Sequence, residues 1–124
     1  MEILAKMDFF LYLSSCSTCK IILKTLQTPV ELSLIDIKKN PLTESQLSVL
    51  HAATGSYLSL INKRAQLFKQ RGIDPKALTE EDASALLMDH YTYLKRPVLV
   101  YRNQVFVGNS KSVVMDAKKW LDEH

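Results

Sequence analysis

Only two cysteines occur among the 124 residues, and they stand three apart, at Cys16 and Cys19. A bridge between them closes too short a loop to stabilise a secreted mini-fold, which excludes a disulfide-stapled extracellular domain. Glycine (3) and proline (4) are scarce, so collagen-like and low-complexity classes are excluded as well. No apolar run approaches the roughly 18 residues that a membrane-spanning helix requires, and no membrane association is expected. An excess of one charge sign is also lacking. The 16 Lys and Arg face 13 Asp and Glu, a net +3, and the basic residues are spread along the chain, so direct nucleic-acid binding is not expected. The start, Met1-Glu-Ile-Leu-Ala-Lys-Met-Asp8, carries charges where an export leader needs its apolar segment. Asn40, Asn62, Asn103 and Asn109 all fail the glycosylation sequon. The expected compartment is the reducing cytoplasm, where a close cysteine pair is catalytic, redox-sensing or metal-binding.

What is present reads as one domain spanning residues 1–124: 47% hydrophobic and 23% charged residues, enough to close one core. Asp8-Phe-Phe-Leu-Tyr-Leu13 is a buried strand by its aromatic and apolar run, and Ser14-Ser15 breaks it. From Ser17 to Leu26, Ile21, Ile22 and Leu26 recur at helical spacing. After Pro29, the stretch Val30 to Ile37 alternates apolar and polar residues and predicts a half-buried strand. Thr43 with Gln46, and Thr79 with Asp82, have the spacing of N-terminal capping boxes. Helices are expected from Thr43 to Gly55, Ser56 to Gln70 and Thr79 to Tyr91. Val98 to Tyr101 and Val105 to Val107 read as a hairpin, and Ser112 to Glu123 as a last amphipathic helix. The order β-α-β, helices, β-β-α predicts an α/β thioredoxin-like fold, βαβ plus ββα, with a helical insertion over about 43–93.

The dithiol sits directly after the first strand, and three readings of it compete. A zinc site needs four ligands, and the remaining candidates, His51, His90 and His124, are not paired at ligand spacing; no metal is expected. Two buried structural thiols are the plainer alternative. Redox chemistry is favoured by position. A cysteine at the first turn of a helix meets unpaired N–H groups and the positive end of the macrodipole, which favour the nucleophilic thiolate. Cys16 occupies that place, and Cys19 lies one turn on, where it can resolve a mixed disulfide formed at Cys16. Thr18 and Lys20 flank Cys19; Lys20 would add positive potential, although a solvated lysine on the helix face is the plainer reading. Lys95-Arg96-Pro97-Val98 precedes the third strand, where thioredoxin folds carry a cis-proline.

Four segments in order, Ser15-Cys-Ser-Thr-Cys-Lys20, Asp36-Ile-Lys-Lys-Asn-Pro-Leu-Thr43, Asn62-Lys-Arg-Ala-Gln-Leu-Phe68 and Leu94-Lys-Arg-Pro-Val-Leu-Val100, resemble the arsenate reductase-like family, which includes ArsC and the Spx-type redox regulators. Val107-Gly108 adds to the likeness. The resemblance implies a thioredoxin core with a helical insertion, Cys16 as nucleophile and Arg96 as the arginine before the proline. The places of two further arginines that hold arsenate in the true reductases carry Asn62 and Asn109, and one arginine with two neutral amides makes a weak oxyanion site. Cys19 resembles the CxxC of the Spx branch, where the pair is a disulfide switch and the regulator binds the RNA polymerase α subunit. The expectation is therefore a thiol–disulfide oxidoreductase acting on a thiol or disulfide substrate or a redox partner protein. Cys16, Cys19 and Arg96 would be catalytic, with Pro97, Ser15, Thr18, Asn62 and Asn109 as substrate-binding residues. No bound cofactor is expected, and glutathione or thioredoxin would donate electrons. An Spx-like regulator and a glutathione- or glutaredoxin-dependent arsenate reductase are the alternatives.

Overall fold

A computed structural model describes residues 8–124, so the charged start read above as unlike an export leader lies outside the described residues, apart from Asp8. The described chain forms two compact units, one of residues 8–40 with Arg96–His124, the other Pro41–Lys95.

The first unit is built on a four-stranded sheet. Strands β1 (Phe9–Tyr12), β2 (Ser33–Asp36), β3 (Val98–Tyr101) and β4 (Gln104–Val107) lie in the order β2-β1-β3-β4. β1 runs parallel to β2 and antiparallel to β3, and β3 antiparallel to β4. The central strands β1 and β3 are buried on both faces, which is why they read as uninterrupted apolar runs rather than alternating ones. Helix α1 (Ser17–Leu26) crosses over between the parallel pair, and the last helix of the chain, Lys111–Glu123, follows β4. Both helices pack on one sheet face, where Phe10, Leu99 and Tyr101 meet Ile22, Leu26, Leu32 and Ala117, with Phe106, Val114 and Trp120 at the margin. The Trp120 indole N–H donates to the Tyr101 carbonyl at 2.8 Å, so the polar edge of this large side chain is satisfied where it meets the sheet. A mixed sheet of this connectivity, βαβ followed by ββα with helices packed on it, is the thioredoxin-like plan.

The second unit holds α2 (Glu44–Thr54), α3 (Gln66–Arg71) and α4 (Glu80–Asp89), joined by short 3₁₀ turns at Leu58–Leu60, Pro75–Ala77 and Tyr91–Tyr93; Lys111–Glu123 is thus α5. Both capping boxes form as the sequence predicts, Thr43 with Gln46 and Thr79 with Asp82. Its interior includes Leu50, Leu60, Ile61, Phe68, Leu87, Tyr93 and Leu94.

Two expected elements are corrected. The helix predicted over 56–70 is broken. The Glu80 carboxylate accepts from the Ser56 hydroxyl and the Tyr57 and Leu58 N–H groups, Ile61 bridges to Leu94, and the Asn62 side chain takes the Arg64 N–H; only Gln66–Arg71 is α-helical. Side-chain acceptors here offer the backbone alternatives to the helical ladder. The strand expected to begin at Val30 begins at Ser33, because Leu32 N–H closes a turn onto the Pro29 carbonyl and leaves Val30 fully exposed.

Three carboxylates have pKa values held below their ordinary range: Asp36, chiefly by the Ser14 hydroxyl; Glu80, chiefly by the Ser56 hydroxyl; and Asp89, chiefly by Arg71. A depressed folded-state pKa contributes stability that is fully present above the unfolded carboxylate range, roughly pH 5 upward, and is lost as pH falls through the folded values. The urea midpoint is therefore expected to hold between pH 5 and 7 and to fall below about pH 4, less steeply in Glu80→Gln. A flat midpoint down to pH 3 would contradict this.

Candidate functional site

β1 ends at Tyr12, and the chain must reverse before α1 can start. It does so in one turn, Leu13 to Cys16, closed by the Cys16 N–H donating to the Leu13 carbonyl at 2.9 Å. Cys16 is the N-cap of α1, in extended backbone conformation (φ −95°, ψ 112°), and its carbonyl accepts the first helical bond from Lys20. Its side chain makes no capping hydrogen bond of ordinary geometry, so the first-turn N–H groups act on the sulfur as oriented dipoles. Cys16 is half-buried and Cys19 is 1% exposed; both thiols are free.

The two sulfurs are driven in opposite directions. Desolvation pushes the Cys16 thiol up, but the Cys19 N–H, the Cys19 thiol, the Thr18 N–H and the Arg96 charge together outweigh it, and its pKa falls below the ordinary thiol value. Cys19 is raised to about 11, first by its own burial and then by the thiol and charge of Cys16, against the opposing pull of the Leu13 N–H and Arg96. Arg96 acts on both cysteines from the start of β3. It is joined to Pro97 by a cis peptide bond, and Pro97 is buried with its carbonyl accepting from the Gly108 N–H at 2.9 Å.

The remaining sequence candidates take other places. Ser15 is exposed inside the reversing turn, and Thr18 is exposed on the first turn of α1, contributing its N–H rather than its hydroxyl to the thiol. Asn109 is exposed in the loop between β4 and α5. Asn62 belongs to the second unit, where its side-chain carbonyl is used on the Arg64 N–H and its own N–H donates to the Tyr93 carbonyl. Residue patterns alone gave no reason to select Ser14 or Asp36, yet the Ser14 hydroxyl donates to the Asp36 carboxylate at 2.6 Å beside the thiols' turn. The available signal was a polar residue at the end of a strand, where the alternation of β2 calls for no buried charge. Among the described residues no group of three or more His, Cys, Asp or Glu is placed to hold a metal ion, and no helix is long and apolar enough to cross a membrane.

The sequence pattern of the ArsC family matches residues 11–117. This chain belongs to the ArsC family. Similar solved structures include one described as an ArsC family related protein from Bacteroides fragilis, at 25% identity over 89% of this chain and 97% of that one, with a TM-score of 0.72. A possible arsenate reductase from Streptococcus mutans is 25% identical over 90% and 97% of the two chains, TM-score 0.63. An arsenate reductase (ArsC) related protein from Brucella melitensis, 21% identical over 85% and 88%, shares the fold at a TM-score of 0.62. No curated protein sequence gives a significant match.

At a pKa of about 11, only on the order of one Cys19 thiol in ten thousand is ionised at pH 7. Iodoacetamide at pH 7 is therefore expected to label Cys16 first, with mass spectrometry assigning the site. Arg96→Ala should move the Cys16 midpoint upward. Faster labelling of Cys19, or no movement on losing Arg96, would contradict the assignment.

Proposed function

We propose that this ArsC family chain is a thiol–disulfide oxidoreductase of the reductase type, with Cys16 attacking and Cys19 resolving. The reading rests on one observation: two free thiols a helical turn apart, the outer one driven toward thiolate and the inner one toward thiol.

The Cys16 thiolate attacks one sulfur of a substrate disulfide, forming a mixed disulfide and releasing the other substrate sulfur as thiolate, which takes a proton from solvent. Cys16 then carries no charge. Two of the influences that keep Cys19 protonated, the charge and thiol of Cys16, disappear at that moment, while Arg96 still favours ionisation. Cys19 loses its proton more readily, attacks the Cys16 sulfur, and leaves a Cys16–Cys19 disulfide with the second substrate thiolate released. Two glutathione thiols or one thioredoxin dithiol would return the pair to the reduced state, being oxidised to a disulfide in turn. Pro97, its carbonyl already held by the Gly108 N–H, would shape the wall beside the substrate, and Ser15 and Thr18 would border its path. A redox partner protein or small disulfide is the expected substrate class.

Arg96, alone among the family's oxyanion-binding arginine places in being kept, supplies one positive charge where arsenate binding calls for several donors. Arsenate turnover with glutathione that vanishes in both Cys16→Ser and Arg96→Ala would redirect the reading to arsenate reduction. Capture of the RNA polymerase α subunit only by the oxidised protein would redirect it to an Spx-like regulator.

Cys19→Ser tests the mechanism directly. With the resolving thiol gone, the mixed disulfide should persist on Cys16 and be seen by mass spectrometry after exposure to oxidised glutathione. Wild type should pass on to the internal disulfide. A wild-type protein that never forms that bond under mild oxidant would remove the proposal.

A further inference from the structure

We infer that Asp36 is a positioning residue for the Cys16 thiolate, acting through the Ser14 hydroxyl to fix the turn that places Cys16 at the mouth of α1. This rests on the proposed role of Cys16 and deepens it.

Asp36 ends β2 and is only 7% exposed, an unusual setting for a carboxylate. Every contact of its side chain serves the ends of the two parallel strands. One oxygen takes the Ser14 hydroxyl at 2.6 Å, the length of a charge-assisted O–H···O⁻ bond, and the Ser14 N–H adds to it. The other takes the Lys38 N–H at 3.1 Å. Its backbone carbonyl accepts from the Lys39 and Asn40 N–H groups, and the next residue, Ile37, donates from its N–H to the Tyr12 carbonyl at 2.9 Å. The carboxylate is thus anchored to a rigid strand end on one side and grips the second residue of the Leu13–Cys16 turn on the other. Without that grip, the half-buried Ser14 has no side-chain partner to hold the turn in one conformation, and the Cys16 sulfur loses its fixed position over the Thr18 and Cys19 N–H groups. Dipole stabilisation falls off within the first turn, so a small displacement of the sulfur weakens it. The titratable and charged groups that face these residues are Lys39 beside Asp36, and the neutral Cys19 thiol and the Arg96 cation beside Cys16.

The test is the pH dependence of Cys16 alkylation in wild type, Ser14→Ala, Ser14→Thr, Asp36→Asn, Asp36→Ala and the double Ser14→Ala/Asp36→Ala, each with its thermal midpoint. Ser14→Ala and Asp36→Ala should each slow Cys16 labelling at pH 7 about tenfold, the scale of one hydrogen bond to a charged acceptor, and raise the alkylation midpoint. Ser14→Thr keeps the hydroxyl and should stay within about threefold of wild type, whereas Asp36→Asn keeps an acceptor but loses the charge and should fall between wild type and Asp36→Ala. The double variant should lose no more than either single one, since both remove one interaction. If the alanine variants fold poorly, the Thr and Asn pair still decides. Ser14→Thr must keep the wild-type profile and Asp36→Asn must raise the midpoint; a raised midpoint in Ser14→Thr or an unchanged one in Asp36→Asn overturns the inference, as do unchanged profiles in folded alanine variants or losses that add in the double. An ordinary wild-type thiol midpoint would sink the reading of the site itself, a result separate from equality between wild type and variants.

Discussion

The acidity of the dithiol depends on a contest at the first turn of α1 between burial and peptide dipoles. Burial alone raises both thiols, because removing either sulfur from water penalises its charged form. At Cys16 the aligned N–H groups of the helix start, the neighbouring thiol and the Arg96 charge overcome that penalty; at Cys19, deeper by one turn, they do not. A spacing of three residues on a helix is enough to give the two thiols of one dithiol opposite acidities. In the proposed reaction the division would also be self-timing, since part of what silences Cys19 is the charge of Cys16, which the attack on a substrate disulfide would consume.

Everything that supports the contest lies in the unit carrying the sheet. Strand β1 delivers the chain to the turn, β3 delivers Arg96, and the hydrophobic seam between the sheet and helices α1 and α5, centred on Phe10, Leu26, Leu99 and Ala117, holds α1 so that its N-terminus stays at the end of β1. The ArsC family match over residues 11–117 and the shared fold at 25% identity fit this account. A fold of this kind is kept by apolar pattern, which many side chains satisfy, whereas the site depends on a few residues at strand and helix ends.

Local rules made much of this legible. Helix α1 forms at Ser17–Leu26 where the apolar spacing places it, β3 at Val98–Tyr101 as its β-branched run predicts, and both Thr-led capping boxes close. In each case the deciding interaction lies within four residues along the chain or follows from a simple burial period. The errors share the opposite cause. Ser56 to Gln70 has helical composition, but the Glu80 carboxylate, some 22 to 24 positions away, takes the Ser56 hydroxyl and the Tyr57 and Leu58 N–H groups at its start. Val30 alternates like a strand residue, yet the turn at Pro29 puts it in water.

The same division runs through the site. The order of residues alone determined that a dithiol follows a strand and opens a helix, that Cys16 is the outer thiol and Cys19 the inner, and that an arginine and a proline precede the third strand. Those facts are one-dimensional, set by spacing and by the helical repeat. Only the tertiary structure decided that Arg96 acts on both sulfurs, that Asn62 spends its side chain on its own turn, and that a carboxylate 20 residues beyond Cys16 grips the turn before it. Fields and hydrogen bonds act through space, and which distant residues share that space is settled when strands β1, β2 and β3 come together.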